Sequence, residues 1–290
     1  MPLRVYNNLF SINAQRNLGN NNASLGVSLE RLSSGIRVNR GADDAAGLAI
    51  SEALRADIRS LNQALRNAND GISLINTAEG ALAEQASILV RMRELAAQAA
   101  TGTVGSTERA TINREFAALR DEIDRISQVA EFNGQKLVNG SLANDAATLT
   151  ALGTDSVVIQ IGMQATAFDR ISLNVSVDLT AIDSTGLNLT NISVTHVQSA
   201  LDSLGRIDSA LSVVTAGRGK LGAVQNRLVH TINNLSISSE NLQAAESQIR
   251  DADYSFEISR FTRNQILVQA STAILAQANL VPQTVLQLLG

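Results

Sequence analysis

Between Pro2 and Pro282 the chain contains no proline, and nothing else in the sequence limits its possible folds so tightly. Proline removes a helical hydrogen bond and clashes with the preceding turn, so positions 3–281 hold no obligatory helix breaker. The apolar residues point the same way. They make up 44% of 290 residues, but aromatics are only 3% and tryptophan is absent, which leaves Leu, Ile, Val and above all Ala. Small aliphatics suit close helix seams better than the aromatic-lined pockets of enzymes.

Heptad-like spacing then assigns four stretches. Leu18, Leu25, Leu29, Leu32 and Ile36 step by seven, four, three and four. Asn39-Arg40-Gly41 breaks this run, with Asp43 expected to cap the next helix. That helix carries Leu54, Ile58, Leu61, Leu65, Ala68, Ile72, Ile75, Leu82, Ala86, Leu89 and Ala96, interrupted only by Glu79 and Arg93. Asn69-Asp70-Gly71 reads locally as a turn, but the register passes through it, so the helix continues at a cost of about 1 kcal/mol for the glycine. The turn-rich segment 101–106 precedes Ile112, Phe116, Leu119, Ile123, Ile126 and Ala130, which predicts an antiparallel helical hairpin. From Asn133 to about Asn191 the sequence is rich in Thr, Ser, Asn and Asp. Alternation of Ile171, Leu173, Val175 and Val177 with polar residues predicts a half-buried strand, with Val157, Ile159 and Ile161 as its partner. The last long register runs from Leu204 to Ile249, 46 residues or about 69 Å at about 1.5 Å per residue, the length of a rod.

The C-terminal segment presents two apolar faces, one with Ile258, Phe261, Val268 and Leu275, the other with Leu267, Ala270, Ile274, Ala278 and Val281. A helix apolar on two sides needs cover on two sides. The N-terminal helix supplies one cover, and a second molecule must supply the other. The expected fold is therefore mainly α: a long antiparallel coiled coil or bundle formed by both chain ends, with a small β-hairpin near 155–178.

Several function classes are disfavoured. A net charge of −4 without a Lys/Arg run argues against nucleic acid, and no apolar stretch of about 18 residues is present to span a membrane. The start lacks an apolar core and cleavage site of the signal-peptide kind. Without cysteine, and with only His196 and His230, no zinc motif forms, and no cofactor is expected. Asp43-Asp44 and Asp121-Glu122 are adjacent pairs that diverge by about 100° on a helix, so they do not converge on a substrate. Gly217-Arg-Gly-Lys-Leu-Gly222 lies inside a heptad run rather than after a strand. Catalysis is not expected.

Arg31-Leu-Ser-Ser-Gly-Ile-Arg-Val-Asn39, Asp43-Asp-Ala-Ala-Gly-Leu-Ala-Ile50 and Arg66-Asn-Ala-Asn-Asp-Gly-Ile-Ser73 resemble the N-terminal signature of bacterial flagellin. Leu221-Gly-Ala-Val-Gln-Asn-Arg227, Ala273-Ile-Leu-Ala-Gln-Ala-Asn279 and Val281-Pro-Gln-Thr-Val-Leu286 resemble its C-terminal one. The likeness covers roughly residues 1–140 and 200–290. It implies a secreted, extracellular structural subunit that polymerises into the flagellar filament, with 1–43 and 254–290 as the inner core domain and 44–253 as the rod domain. Outer domains are expected to be missing, because only about 20 residues separate Val177 from the last long helix. The resemblance further implies export, unfolded and uncleaved, through a type III apparatus. The implied partners are further copies of the chain, the filament cap, hook–filament junction proteins, an export chaperone and, for the monomer, Toll-like receptor 5. Arg91, Leu95 and Gln98, with Glu115, match the residues that the family shares at the receptor and polymer surface. The junction protein itself, which shares terminal signatures, is the alternative within the flagellum. A chemoreceptor-type coiled coil would need membrane anchors or a kinase-binding tip, neither of which is visible.

Overall fold

The computed structural model describes residues 8–144 and 156–289. In chain order the elements are α1 (Leu9–Ser34), α2 (Ala45–Ala100), α3 (Ser106–Val129), β1 (Glu131–Phe132), β2 (Gln135–Lys136), β3 (Val158–Gln160), a 3-10 turn (Ala167–Asp169), β4 (Arg170–Ser172), α4 (Leu173–Val177), α5 (Val197–Arg250) and α6 (Tyr254–Leu289). They fall into two compact units, Met1–Ile58 with Glu240–Gly290, and Arg59–Ser239.

In the first unit α1 and α6 pack side by side. They run antiparallel: Asn8 Nδ2 donates to the Ala278 carbonyl, while far along both helices Tyr254 Oη donates to the Leu32 carbonyl. α1 stops at Gly35, whose φ of 72° is open to glycine and whose N–H closes onto the Arg31 carbonyl. Ile36 therefore lies beyond the helix rather than on its heptad. It forms a single antiparallel bridge with Asp251, flanked by Arg37 N–H to Arg250 O and Ala252 N–H to Gly35 O. The capping expectation is corrected in the same stretch. Asp44 Oδ1 accepts from Gly47 N–H and caps α2, whereas Asp43 Oδ2 accepts from Asn39 and Arg40 and holds the preceding turn. Those backbone bonds, Arg40 foremost, hold the Asp43 carboxyl below its ordinary range.

In the second unit one apolar core joins α2, α3, α5 and the segments 137–142 and 171–194. α2 and α5 run antiparallel there, and the positions that interrupt their heptads meet opposite charges. Glu79 pairs with Arg218 at 3.5 Å and Arg93 with Asp208 at 2.8 Å. On α5 the buried row includes Ala200, Ala210 and Gly217 beside Ile207, Val214 and Leu221, so small side chains let other elements approach closely. Gly71 does the same on α2. A Cβ there would sit 2.4 Å from Ile159 Cδ1, so the end of that side chain would have to move to admit one.

The middle of the chain differs from expectation in detail. β3 and β4 pair antiparallel, Ile159 opposite Ile171, but β4 ends at Ser172. Leu173–Val177 is a short helix, because Ser172 Oγ caps it at Val175 N–H and Asp178 ends it in the left-handed region. Alternation continued in the sequence while the backbone did not, and Val175 is 65% exposed. A second, two-residue hairpin joins β1 to β2 through Asn133 and Gly134, both at positive φ, the pairing of residues a tight primed turn requires. Buried Asn174 ties the region together: its Nδ2 donates to Ser141 O and Ala143 O, and its Oδ1 accepts from Val157 N–H. Replacing Asn174 by Ala leaves three backbone groups without that partner. Urea denaturation of Asn174→Ala is expected to show a loss of about 3 kcal/mol, whereas a loss within error would mean that water substitutes for the amide.

Candidate assembly surfaces

Two groups of residues stand out in the sequence, one in each unit. On the second unit, Arg91 projects from α2 and Glu115 from α3. Arg91 Nε and Nη2 donate to Glu115 Oε1 at 3.0 and 2.9 Å, and Nη1 donates to Glu94 Oε2 at 3.0 Å. The Glu115 and Glu94 carboxylates raise the Arg91 guanidinium above its already high ordinary value. Arg91, Gln98 and Glu115 are exposed and share one surface-facing region of the α2–α3 hairpin. Leu95 is different. It is 2% exposed and belongs to the core, so its expected place on the surface is corrected: it supports the helix from beneath.

On the first unit, the terminal residues divide into a seam and an outer face. Leu18, Leu25 and Leu32 on α1, and Phe261, Val268 and Leu275 on α6, are partly buried and recur at the spacing of the α1–α6 seam. Leu29 is 57% exposed, Ile258 52%, Leu267 42% and Ile274 60%. Ile258, grouped in the sequence with Phe261, Val268 and Leu275, and Leu29, in phase with Leu25 and Leu32, instead point away from the seam. Ala278, grouped in the sequence with Leu267 and Ile274, is parted from them and buried at the seam. The corrected α6 seam reads Glu257, Phe261, Asn264, Val268, Ser271, Leu275, Ala278, an alternating four–three step. Val281 lies on α6 beyond the described side chains.

Apolarity alone could not have found half of that seam. Asn21 and Ser28 on α1, and Asn264 and Ser271 on α6, occupy seam positions and hydrogen-bond across it. Their signal was spacing: each pair is seven residues apart and in phase with the leucines.

Close to this seam, near the ends of α2 and α5 that belong to the same unit, four charges form a ring. Arg55 lies 2.9 Å from Glu52 and 3.7 Å from Glu246, and Arg250 lies 3.0 and 3.9 Å from the same two carboxylates. The Arg55 hydrogen bond, with help from Arg250, holds the Glu52 carboxyl below its ordinary 4.5. Among the described residues no cluster of His, Cys, Asp and Glu could hold a metal ion, and no helix is long and apolar enough to cross a membrane. Exposed apolar strips and exposed charge pairs are means of association.

Known proteins share this organisation. The pattern described as the bacterial flagellin N-terminal helical region matches residues 5–143, and the C-terminal helical region matches 204–289. A flagellin of Bacillus subtilis (strain 168) is 47% identical, over 99% of this chain and 100% of that protein. One of Halalkalibacterium halodurans is 51% identical, over 98% and 99%. A Vibrio parahaemolyticus structure described as a flagellar hook-associated protein has a similar fold, with a TM-score of 0.56 at 17% identity, over 72% of this chain and 100% of that one.

Two outcomes check this geometry. Leu95→Ala should cost about 3 kcal/mol in chemical denaturation, since it empties a core position, while Glu115→Gln should leave the midpoint where it was. Equal effects would mean that Leu95 is not a core residue. Acid should also weaken the charge ring. The depressed Glu52 contributes stability that is present above its unfolded value and lost as pH falls through the lower folded one. Thermal melting should therefore drop as pH falls below about 4.5, less steeply in Glu52→Gln.

Proposed function

The chain belongs to the bacterial flagellin family, and from that premise we propose how its surfaces serve a filament. It is a structural subunit that polymerises with copies of itself into the flagellar filament outside the cell, and it is not an enzyme. In our reading, residues 1–43 and 254–290 form the inner core of the polymer and 44–253 the rod layer around it. The observation that carries this is the outer face of the paired ends, where Leu29, Ile258, Leu267 and Ile274 stand exposed on helices whose other sides face each other. Burying each such side chain contributes about 1.5–3 kcal/mol, which only a neighbouring molecule can supply.

The further partners are those that the family resemblance implies. The chain leaves the cell unfolded through the flagellar type III apparatus, with an export chaperone covering the apolar C-terminal helix beforehand. In the filament it meets the cap and the hook–filament junction proteins at the two ends. Arg91, Gln98 and Glu115 form a surface that serves polymer contacts and, in free monomer, Toll-like receptor 5. Their exposure on a rigid helical hairpin supports that reading, and buried Leu95 acts there only by holding α2 in place. With no outer domains, the filament is thin and smooth.

Electron microscopy of the purified protein after addition of short filament seeds tests the proposal. Full-length chain should extend the seeds into long, smooth, thin filaments. A chain cut before Tyr254 should not, while circular dichroism still reports a folded helical remainder. Growth of the truncated chain would sink the argument that the paired ends drive assembly, and full-length protein that only caps the seeds would point to a junction protein instead.

A further inference from the structure

The two central polar layers of the α1–α6 seam are reciprocal. Asn21 Nδ2 on α1 donates to Ser271 Oγ on α6 at 2.8 Å. One heptad along, Asn264 Nδ2 on α6 donates to Ser28 Oγ on α1 at 3.3 Å. Ser28 is 3% exposed and Ser271 9%, so neither hydroxyl has ready access to water. The heptad step carries Leu25 and Val268 into the layer between.

We propose that Asn21, Ser28, Asn264 and Ser271 set the register in which the two chain ends pair. The proposal deepens the assembly reading, on which its biological role rests. A buried polar side chain is tolerated while hydrogen-bonded and is costly opposite an alkyl group. Aliphatic layers discriminate poorly, because a seven-residue slip merely exchanges one of Leu18, Leu25 and Leu32 for the next opposite Phe261, Val268 and Leu275. The polar layers allow it only in part, since one slip keeps Ser28 opposite Ser271 and the other keeps Asn21 opposite Asn264, while each loses the second layer. Sliding α6 by one heptad in one direction sets Asn21 against Ala278. Sliding it the other way sets Ser271 against Ala14. Both alanines are 7% exposed seam residues that cannot answer a hydrogen bond. Each slip therefore strands a polar seam group, partly buried Asn21 in one direction and buried Ser271 in the other, as a polar residue at one core position fixes register in coiled coils at some expense of stability. In a polymer, where every subunit must present the same outer face, a slipped pair would displace Ile258, Leu267 and Ile274 relative to Leu29 and spoil the next contact.

The chain has no cysteine, so engineered disulfides report register without background. Leu25→Cys with Val268→Cys samples the native register. Leu18→Cys with Val268→Cys samples a slip of one heptad, outside disulfide reach when the helices are in place. Both pairs are placed in the natural seam and in a seam carrying Asn21→Leu, Ser28→Leu, Asn264→Leu and Ser271→Leu. Oxidised full-length chains, as monomer and in seeded filaments, are read by non-reducing electrophoresis and peptide mass. The natural seam should close only the native pair. The leucine seam should close the slipped pair as well, at least about tenfold above the natural seam, which corresponds to about 1.4 kcal/mol of lost discrimination. Exchanging the partners, Asn21→Ser with Ser271→Asn, keeps a bonded layer and should keep the native pair alone. If the fourfold variant closes neither pair, Asn21→Leu with Ser271→Leu is read by the same rule.

A leucine seam that closes only the native pair overturns the proposal, as does a natural seam that closes both or neither. Native cross-links in a chain that never extends seeds would count against the assembly reading and leave the register code intact.

Discussion

The antiparallel pairing of α1 with α6 is the contact on which the rest of the terminal architecture depends. It joins residues as far apart in sequence as Asn8 and Ala278, so it closes almost the whole chain into one loop against an entropic cost that grows with loop length. α1 is poorly equipped to be helical by itself. It contains Asn13, Asn17, Asn20, Asn21 and Asn22 together with Gly19 and Gly26, residues of low helix propensity. Its helicity therefore comes from what it packs against, as in most protein helices. The caps and bridges at its C-terminal end, Gly35, the Ile36–Asp251 pair and Tyr254 on the Leu32 carbonyl, matter because they hold both helices to one starting point.

The second unit solves its packing differently. There the seam between α2 and α5 is continuous with a broad core that also includes α3 and the loop segments after β2 and β4. Close approach comes from small residues, and specificity from charges placed where the apolar register breaks. Glu79 with Arg218 is half-exposed and contributes little to stability, yet a helix slipped by one heptad would lose it. Fully buried Gln85, whose Nε2 donates to the carbonyls of Ile123 and Ile182, fastens the α2–α3 hairpin to the loop beyond it. Polar groups thus locate elements that apolar packing alone would hold loosely.

Periodicity made the helices legible in the sequence, because a 3.6-residue repeat sustained for many turns has few other solutions. The same signal failed at termini and at short elements. Ile36 keeps heptad phase but follows a left-handed Gly35, so phase without a continuing backbone misplaced it. Leu173, Val175 and Val177 alternate like a strand, yet Ser172 supplies a helix cap, and the capping bond outweighed alternation over so short a run. Leu95 was matched by motif to a surface and lies in the core, since a motif records residue identity and not which side of a helix faces inward. The polar half of the α1–α6 seam was invisible to a search for apolar residues, although its spacing was in plain view.

The division of labour on α6 explains why those polar layers can persist. The seam toward α1 alternates Phe261, Val268 and Leu275 with Asn264 and Ser271, so it is a weak adhesive and a strict ruler. The outer face leaves Ile258, Leu267 and Ile274 exposed. Had the composition been reversed, the two ends would bind each other tightly as a free molecule and offer neighbours little. As built, Ile258, Leu267 and Ile274 are left for a neighbour to cover, while on our proposal a few amide and hydroxyl groups set beforehand how the two ends pair. On that proposal, register and association fall to different faces of one helix, the polar layers toward α1 and the exposed apolar side chains toward a neighbour.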